Sequence, residues 1–203
     1  MTDRSEAELS IFLDMDGVLV DIVGPILDLY SSRHLLDDWL KGCYDLDVIL
    51  DVGRGELWER VNAMPVAWWE WLPAFRWLDT LWEGLQPFGP VTILSLPQET
   101  DACVLGKRRW LDRKIGPGLD VVLSGRKTRL ARPGAVLIDD SEHHIRDWEA
   151  AGGHGILFPQ VWNPAEPIID GRRYGCPAEY TLERLRRISD ETRRTTTACK
   201  NAD

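Results

Sequence analysis

The sequence predicts an α/β fold: a Rossmann-like, mostly parallel sheet with a small helical cap inserted after the first strand. Three observations predict it. Short apolar runs, each closed by polar or turn residues, alternate with helical patterns. One long stretch near the N-terminus breaks this alternation. Two of the apolar runs end in paired carboxylates, Asp14/Asp16 and Asp139/Asp140.

The strands are expected at Ser10–Leu13, Val91–Leu94, Asp120–Leu123, Ala135–Ile138 and Gly155–Phe158. Helical patterns fill the intervals. Asp101–Ile115 stops at Gly116-Pro117-Gly118, and Glu142–Ala151 stops at Gly152-Gly153. Strands that alternate with helices favour a parallel sheet covered on both faces.

Residues 20–85 carry helical patterns (Ile22–Tyr30, Gly55–Met64, Leu78–Leu85) and no convincing strand. They hold seven of the ten tryptophans: Trp39, Trp58, Trp68, Trp69, Trp71, Trp77 and Trp82. The segment starts directly behind Asp16, so it can fold over that turn as a lid. The expected division is an α/β core from 1–19 and 86–177, a helical cap from 20–85, and a C-terminal helix with a disordered tail from 178–203. The tail reading rests on the polar run from Thr192 to Thr197.

Composition narrows the function. The net charge of −9 leaves no basic stripe for a nucleic-acid polymer. Cys43, Cys103, Cys176 and Cys199 lack paired spacing, so they read as reduced thiols of a cytoplasmic protein. No signal peptide is seen, and Asp14, Asp16, Asp21 and Asp28 interrupt the only candidate membrane span, so no membrane partner is expected. A homodimer is allowed.

The paired carboxylates carry the chemistry. Ile11-Phe12-Leu13-Asp14-Met15-Asp16-Gly17 is a strand that runs into two acids on one side. Ala135-Val136-Leu137-Ile138-Asp139-Asp140 repeats the design. Ligands bind past the carboxyl ends of such strands. Four acids gathered there repel one another, each pair at 4 Å by about 4 kcal/mol at an effective dielectric near 20. A cation among them relieves this, and hard oxygen donors around an open site suit Mg²⁺ and phosphoryl chemistry. Ser95, at the end of another apolar run, and Lys127, after Ser124-Gly125-Arg126, can meet phosphate oxygens. Lys107 is a second cation for the same task.

The order of these motifs resembles the haloacid dehalogenase (HAD) superfamily of phosphotransferases, from Ile11 to about Asn163. The nearest branch is the 5'(3')-deoxyribonucleotidases, on Phe12–Leu19, Gly106–Leu111, Gly125–Thr128 and Leu137–Asp140. The resemblance implies an HAD-like core. It implies Asp14 as nucleophile, Asp16 as acid and base, and Ser95, Lys127 and Lys107 as phosphate ligands. It places Mg²⁺ on Asp14, the backbone carbonyl of Asp16 and Asp140, with Asp139 in support. Asp16 separates phosphatases from the carbon–halogen hydrolases, which have no acid there. Leu96 and Ser141 depart from the branch, which carries a hydroxyl and a basic residue at these places.

The expected function is Mg²⁺-dependent hydrolysis of a small phosphate monoester, with a (deoxy)nucleoside monophosphate favoured. The alternatives are a phosphatase for a sugar phosphate or other metabolite, and a catalytically silent binding protein of the same fold. Trp58, Trp68, Trp69 and Trp71 are the cap candidates for stacking on a base. His143 and His144 are expected to be surface or helix-cap residues.

Overall fold

The computed structural model describes residues 9–200, the last five by backbone alone. Five strands make one parallel sheet: β1 (Ser10–Leu13), β2 (Val91–Ser95), β3 (Asp120–Leu123), β4 (Ala135–Asp139) and β5 (His154–Leu157). Their order is β3-β2-β1-β4-β5, so the chain reverses direction across the sheet at β1. β1 is flanked by β2 and β4 in register, with Leu13 level with Ile93 and Ile138. A small antiparallel pair, β6 (Ile168–Ile169) and β7 (Arg172–Arg173), stands apart.

Period-two geometry divides the core into two layers. Ile11, Leu13, Ile93, Val136 and Ile138 face one layer. Phe12, Leu94, Ala135 and Leu137 face the other, where they meet Ile145 and Trp148 of α7 (Glu142–Ala150). Burial on both faces explains why the strands read as continuous apolar runs and not as alternating ones.

The segment between β1 and β2 forms five helices: α1 (Val23–Leu29), α2 (Leu46–Leu50), α3 (Arg54–Asn62), α4 (Val66–Glu70) and α5 (Leu78–Leu85). The expected three patterns are present; α2 and α4 are single-turn additions too short for periodicity to reveal. Chain entry and exit are stitched together. Asp21 N–H donates to the Pro73 carbonyl and Phe75 N–H to that of Leu19, at 2.9 and 3.0 Å. The inserted segment therefore closes near Phe75. α5 lies beyond that point, contributes Leu81 and Leu85 to the main core and packs on α8 (Pro177–Lys200). The lid expected to reach residue 85 thus ends about one helix earlier, because the amphipathic face of α5 fits the core.

α6 (Asp101–Lys114) follows β2 and starts at Thr100, whose hydroxyl accepts the Cys103 N–H at 3.2 Å. α4 docks on α6 at Gly106. A Cβ there would lie 2.3 Å from the Cβ of Trp69, so no larger residue allows this approach. α8 corrects a second expectation. It continues through Thr192–Thr197 to Lys200, where the polar composition suggested disorder. Ala178, Leu185 and Ile188 anchor its first half in the core, and the helix propagates beyond them. The end of the expected tail, 201–203, lies outside the described residues. No helix among the described residues is long and apolar enough to cross a membrane.

Candidate active site

Four segments deliver polar side chains to one edge of an apolar sheet. Asp14 immediately follows β1, and its N–H still pairs with the Ile138 carbonyl of β4 at 2.9 Å. Ser95 and Asp139 are the last residues of β2 and β4, and Asp140 comes next. Lys127 opens a short 3₁₀ turn after β3. All five are buried, with Asp139 fully so. Lys107 reaches the same edge from α6 and is equally buried.

Two ammonium groups knit the acids together. Lys127 Nζ lies 2.6 Å from Asp139 Oδ2 and 2.9 Å from Asp14 Oδ1. Lys107 Nζ donates to Asp16 Oδ2 at 2.6 Å, to Ser95 Oγ at 3.0 Å and to the Leu96 carbonyl at 3.3 Å. The other oxygen of Asp16 is buried and has no hydrogen-bond partner.

Asp139 is saturated: besides Lys127 it accepts the Ser141 N–H at 2.9 Å and stands 3.1 Å from His144 Nδ1. Asp140 accepts the indole N–H of Trp162 on Oδ2 at 2.7 Å. Asn163 donates to its backbone carbonyl at 2.8 Å.

These surroundings separate the acids. Burial pushes the Asp14 carboxyl up; Lys127 opposes this, while Asp139 and Asp16 add to it. Burial pushes Asp140 well up, and the charges of Asp139 and Asp14 push the same way. Asp139 goes down: burial resists ionisation, but Lys127 and His144 together outweigh it. Lys127 is held protonated, because Asp14 and Asp139 overcome the cost of burying it.

The donor set fits a metal ion. Oxygens of Asp14, Asp139 and Asp140 all lie within 4.8 Å of one another and are buried. Four carboxylates meet two ammonium groups here, which leaves two negative charges once all are ionised. A divalent cation balances that charge. Gly17 leaves the room. Its φ is +74°, and a Cβ there would sit 2.0 Å from Asp140 Oδ2. Gln160 bonds the Gly17 carbonyl and fixes the turn from the other side. The side chain of Asp16 lies outside the acidic triad and turns to Lys107 instead.

A cavity of about 470 Å³ opens above this edge. Asp14, Asp16, Ser95, Lys107 and Asp140 line its polar end. Ile22, Val23, Ile26, Trp39, Trp58 and Trp69 supply apolar wall. Two of the four tryptophans expected in the cap site are therefore there. Trp68 is not among the lining residues; it packs edge-on against Trp69, with ring centroids 4.9 Å apart. Trp71 is 64% exposed, with the Arg113 guanidinium over its ring at 4.3 Å. Adjacent positions of one short helix face different ways, so at most part of the Trp68/Trp69/Trp71 cluster can reach a shared cavity.

Sequence reasoning missed Trp39, Tyr44, Trp162 and Asn163, which lie in loops without a motif. His144, expected as a surface or helix-cap residue, lies in the first turn of α7 with its N–H on the capping Ser141, and its ring contacts Asp139 and lines the cavity. Its signal was its place three residues after Ser141, whose hydroxyl caps α7 and turns the first helical residues toward the acids. Tyr44 is half exposed, and its phenol is pushed up, first by the Asp140 charge and then by burial.

No family model matches the chain, and no curated protein matches it by sequence. Solved structures do match. A haloacid dehalogenase-like family hydrolase from Xanthomonas campestris aligns over 96% of this chain and 97% of its own, with a TM-score of 0.55 and 14% identity. A HAD-superfamily hydrolase of subfamily IA from Geobacter sulfurreducens aligns over 91% of this chain and 100% of its own, at TM-score 0.48 and 13% identity. A HAD family enzyme from Bacteroides thetaiotaomicron, in complex with magnesium, aligns over 76% of this chain and 94% of its own, at 0.43 and 15%. These structural neighbours are HAD-superfamily hydrolases, and the first of them shares the α/β fold of this chain over nearly its whole length.

Proposed function

We propose that the protein is a Mg²⁺-dependent phosphatase that hydrolyses a small phosphate monoester, with a (deoxy)nucleoside monophosphate as the favoured substrate. One observation carries the reading: the Asp14 carboxylate lies on the cavity floor between Lys127 and the Asp140 carboxylate, where a phosphoryl group and a cation can share it.

Asp14 attacks phosphorus, and its new bond to phosphorus forms as the bond to the leaving oxygen breaks. Asp16 gives that oxygen its proton. Asp16 then takes a proton from the water that cleaves the aspartyl-phosphate, which releases inorganic phosphate and restores Asp14. Ser95 Oγ, Lys107 and Lys127 donate to the phosphoryl oxygens. Asp14, the backbone carbonyl of Asp16 and Asp140 would hold Mg²⁺, with Asp139, locked by Lys127 and His144, in support. When bound, the ion neutralises charge that builds on the transferred group. Lys107 also keeps Asp16 oriented toward the cavity.

The nucleoside preference is supported by the cavity wall. Trp39 and Trp58 offer flat apolar area suited to a base. A 5'(3')-deoxyribonucleotidase-like activity is the finest form of the proposal.

A panel of phosphate esters assayed with Mg²⁺ tests it. Turnover of nucleoside monophosphates that disappears in Asp14→Asn is the expected result. Activity confined to sugar phosphates removes the nucleotide assignment, and activity that persists in Asp14→Asn removes the nucleophile.

A further inference from the structure

Asp140 is gripped from outside the acidic triad. Trp162, in the loop after β5, gives its indole N–H to Asp140 Oδ2 at 2.7 Å, and both residues are buried. The loop is pinned beside the contact, because Asn163 Nδ2 donates to the carbonyls of Asp140 and Phe158, each at 2.8 Å.

The ring of Trp162 belongs to a different neighbourhood. It meets Trp39 edge-on, with centroids 5.8 Å apart. With Val23 and Leu27 of α1 it forms a small apolar cluster that is separate from the main core. Trp39, Leu46, Leu50 and Phe75 pack around that cluster. One side chain therefore joins a site carboxylate to the inserted segment.

A carboxylate with one oxygen committed has a fixed orientation for the other. Partners behind a ligating group in this way set its direction and its strength. Gly17 leaves open the space that Oδ2 occupies: a Cβ there would lie 2.0 Å from that oxygen, so the indole bond and the bare glycine together allow this orientation.

We infer that Trp162 is a positioning residue that orients Asp140 for a divalent cation and transmits the packing of Trp39 to that carboxylate. The inference rests on Asp140 as a metal ligand, as in the phosphatase reading above. A tryptophan that merely fills space would change stability when replaced and leave the cation affinity of the folded protein alone.

Calorimetric titration of Mg²⁺ into the full-length chain, without substrate, distinguishes the two. Trp162→Phe keeps an aromatic ring and loses the N–H; it should weaken Mg²⁺ binding by about 10-fold or more. Trp39→Leu keeps the N–H and loses the edge contact; it should weaken binding in the same direction by a smaller factor. A Trp162→Phe affinity within about twofold of wild type overturns the positioning role. A Trp39→Leu affinity equal to wild type overturns the transmission. If wild type takes up no Mg²⁺, the phosphatase reading itself fails. A second measurement needs no substitution. On Mg²⁺ addition the indole N–H resonance of Trp162 should shift, while that of Trp148, buried between α7 and the sheet, stays in place. Equal responses overturn the inference.

Discussion

The two walls of the cavity are built on different principles. The sheet wall is cross-linked: Asp14, Asp139, Lys127 and His144 form one continuous run of polar contacts, and Lys107 ties Asp16 to Ser95. The wall between β1 and β2 is aromatic and held by apolar packing. Its helices α2, α3 and α4 begin without side-chain caps, and α2 and α4 span only five residues each. The contrast assigns tasks. Groups that bond, charge and move protons need fixed geometry, whereas a surface that selects among leaving groups works by shape and area.

If that division is right, changes in the sheet wall strike turnover and changes in the aromatic wall strike affinity. The largest effect belongs to Asp14→Asn, which should lower kcat by about 10⁴-fold or more, measured as phosphate release on the best ester. Asp16→Asn should lower it by about 10²–10⁴-fold, with a smaller loss for esters whose leaving group needs no proton. A flat response across leaving groups would remove Asp16 as the acid.

Lys127→Met tests the sheet wall as structure. It leaves Asp14 and Asp139 buried without their shared cation, and denaturant unfolding should show a loss of about 3–5 kcal/mol. Trp58→Ala tests the opposite wall. It should raise KM by the loss of about 1–3 kcal/mol of stacking and leave kcat nearly unchanged. Should kcat fall instead, the two walls are not separate in function. Trp71→Ala sets the baseline: its ring is exposed and off the cavity, so stability should move by no more than about 0.5 kcal/mol.

A pH series sharpens the same contrast. Asp14 and Asp140 have raised proton affinity, so the folded, metal-free protein holds protons that the unfolded chain gives up above about 3.8. Stability is full below that value and falls as pH rises through the raised ones. Asp139, shifted down, contributes in the opposite sense and loses its contribution only in acid. The thermal shift given by Mg²⁺ should therefore grow as pH rises above the ordinary carboxylate range, by about 2–4 °C for each kcal/mol in a chain of this size. A shift that does not depend on pH would mean that the ion binds elsewhere.

The sheet wall was legible because each of its acids closes an apolar run. Strand, acid and glycine are neighbours in sequence, so a local pattern carries the site. β1 and β3 were located to the residue, β2 and β4 to within one residue at the C-terminal end, and β5 one residue late at both ends. The aromatic wall was not legible at the same level. Trp39 and Trp162 meet across more than a hundred residues, and no spacing signals such a contact. Trp68, Trp69 and Trp71 look alike in sequence, yet one is fully buried and one is mostly exposed, because helix phase and not composition decides which face is covered. The extent of α8 was missed for a related reason: Thr lowers local helix preference only slightly, Arg favours it, and the anchored first half of the helix outweighs the polar composition.

Gly106 and Lys107 are consecutive, and they perform unrelated tasks in the same turn of α6. The first, by having no side chain, lets α4 come to rest against the helix; the second sends its ammonium to Asp16 and Ser95. A helix advances by about 100° per residue, so inserting one residue upstream in α6 would swing both off target together. The spacing of this dipeptide thus acts as a phase lock: the roof over the reaction chamber and the charge inside it can only be set, or lost, as one.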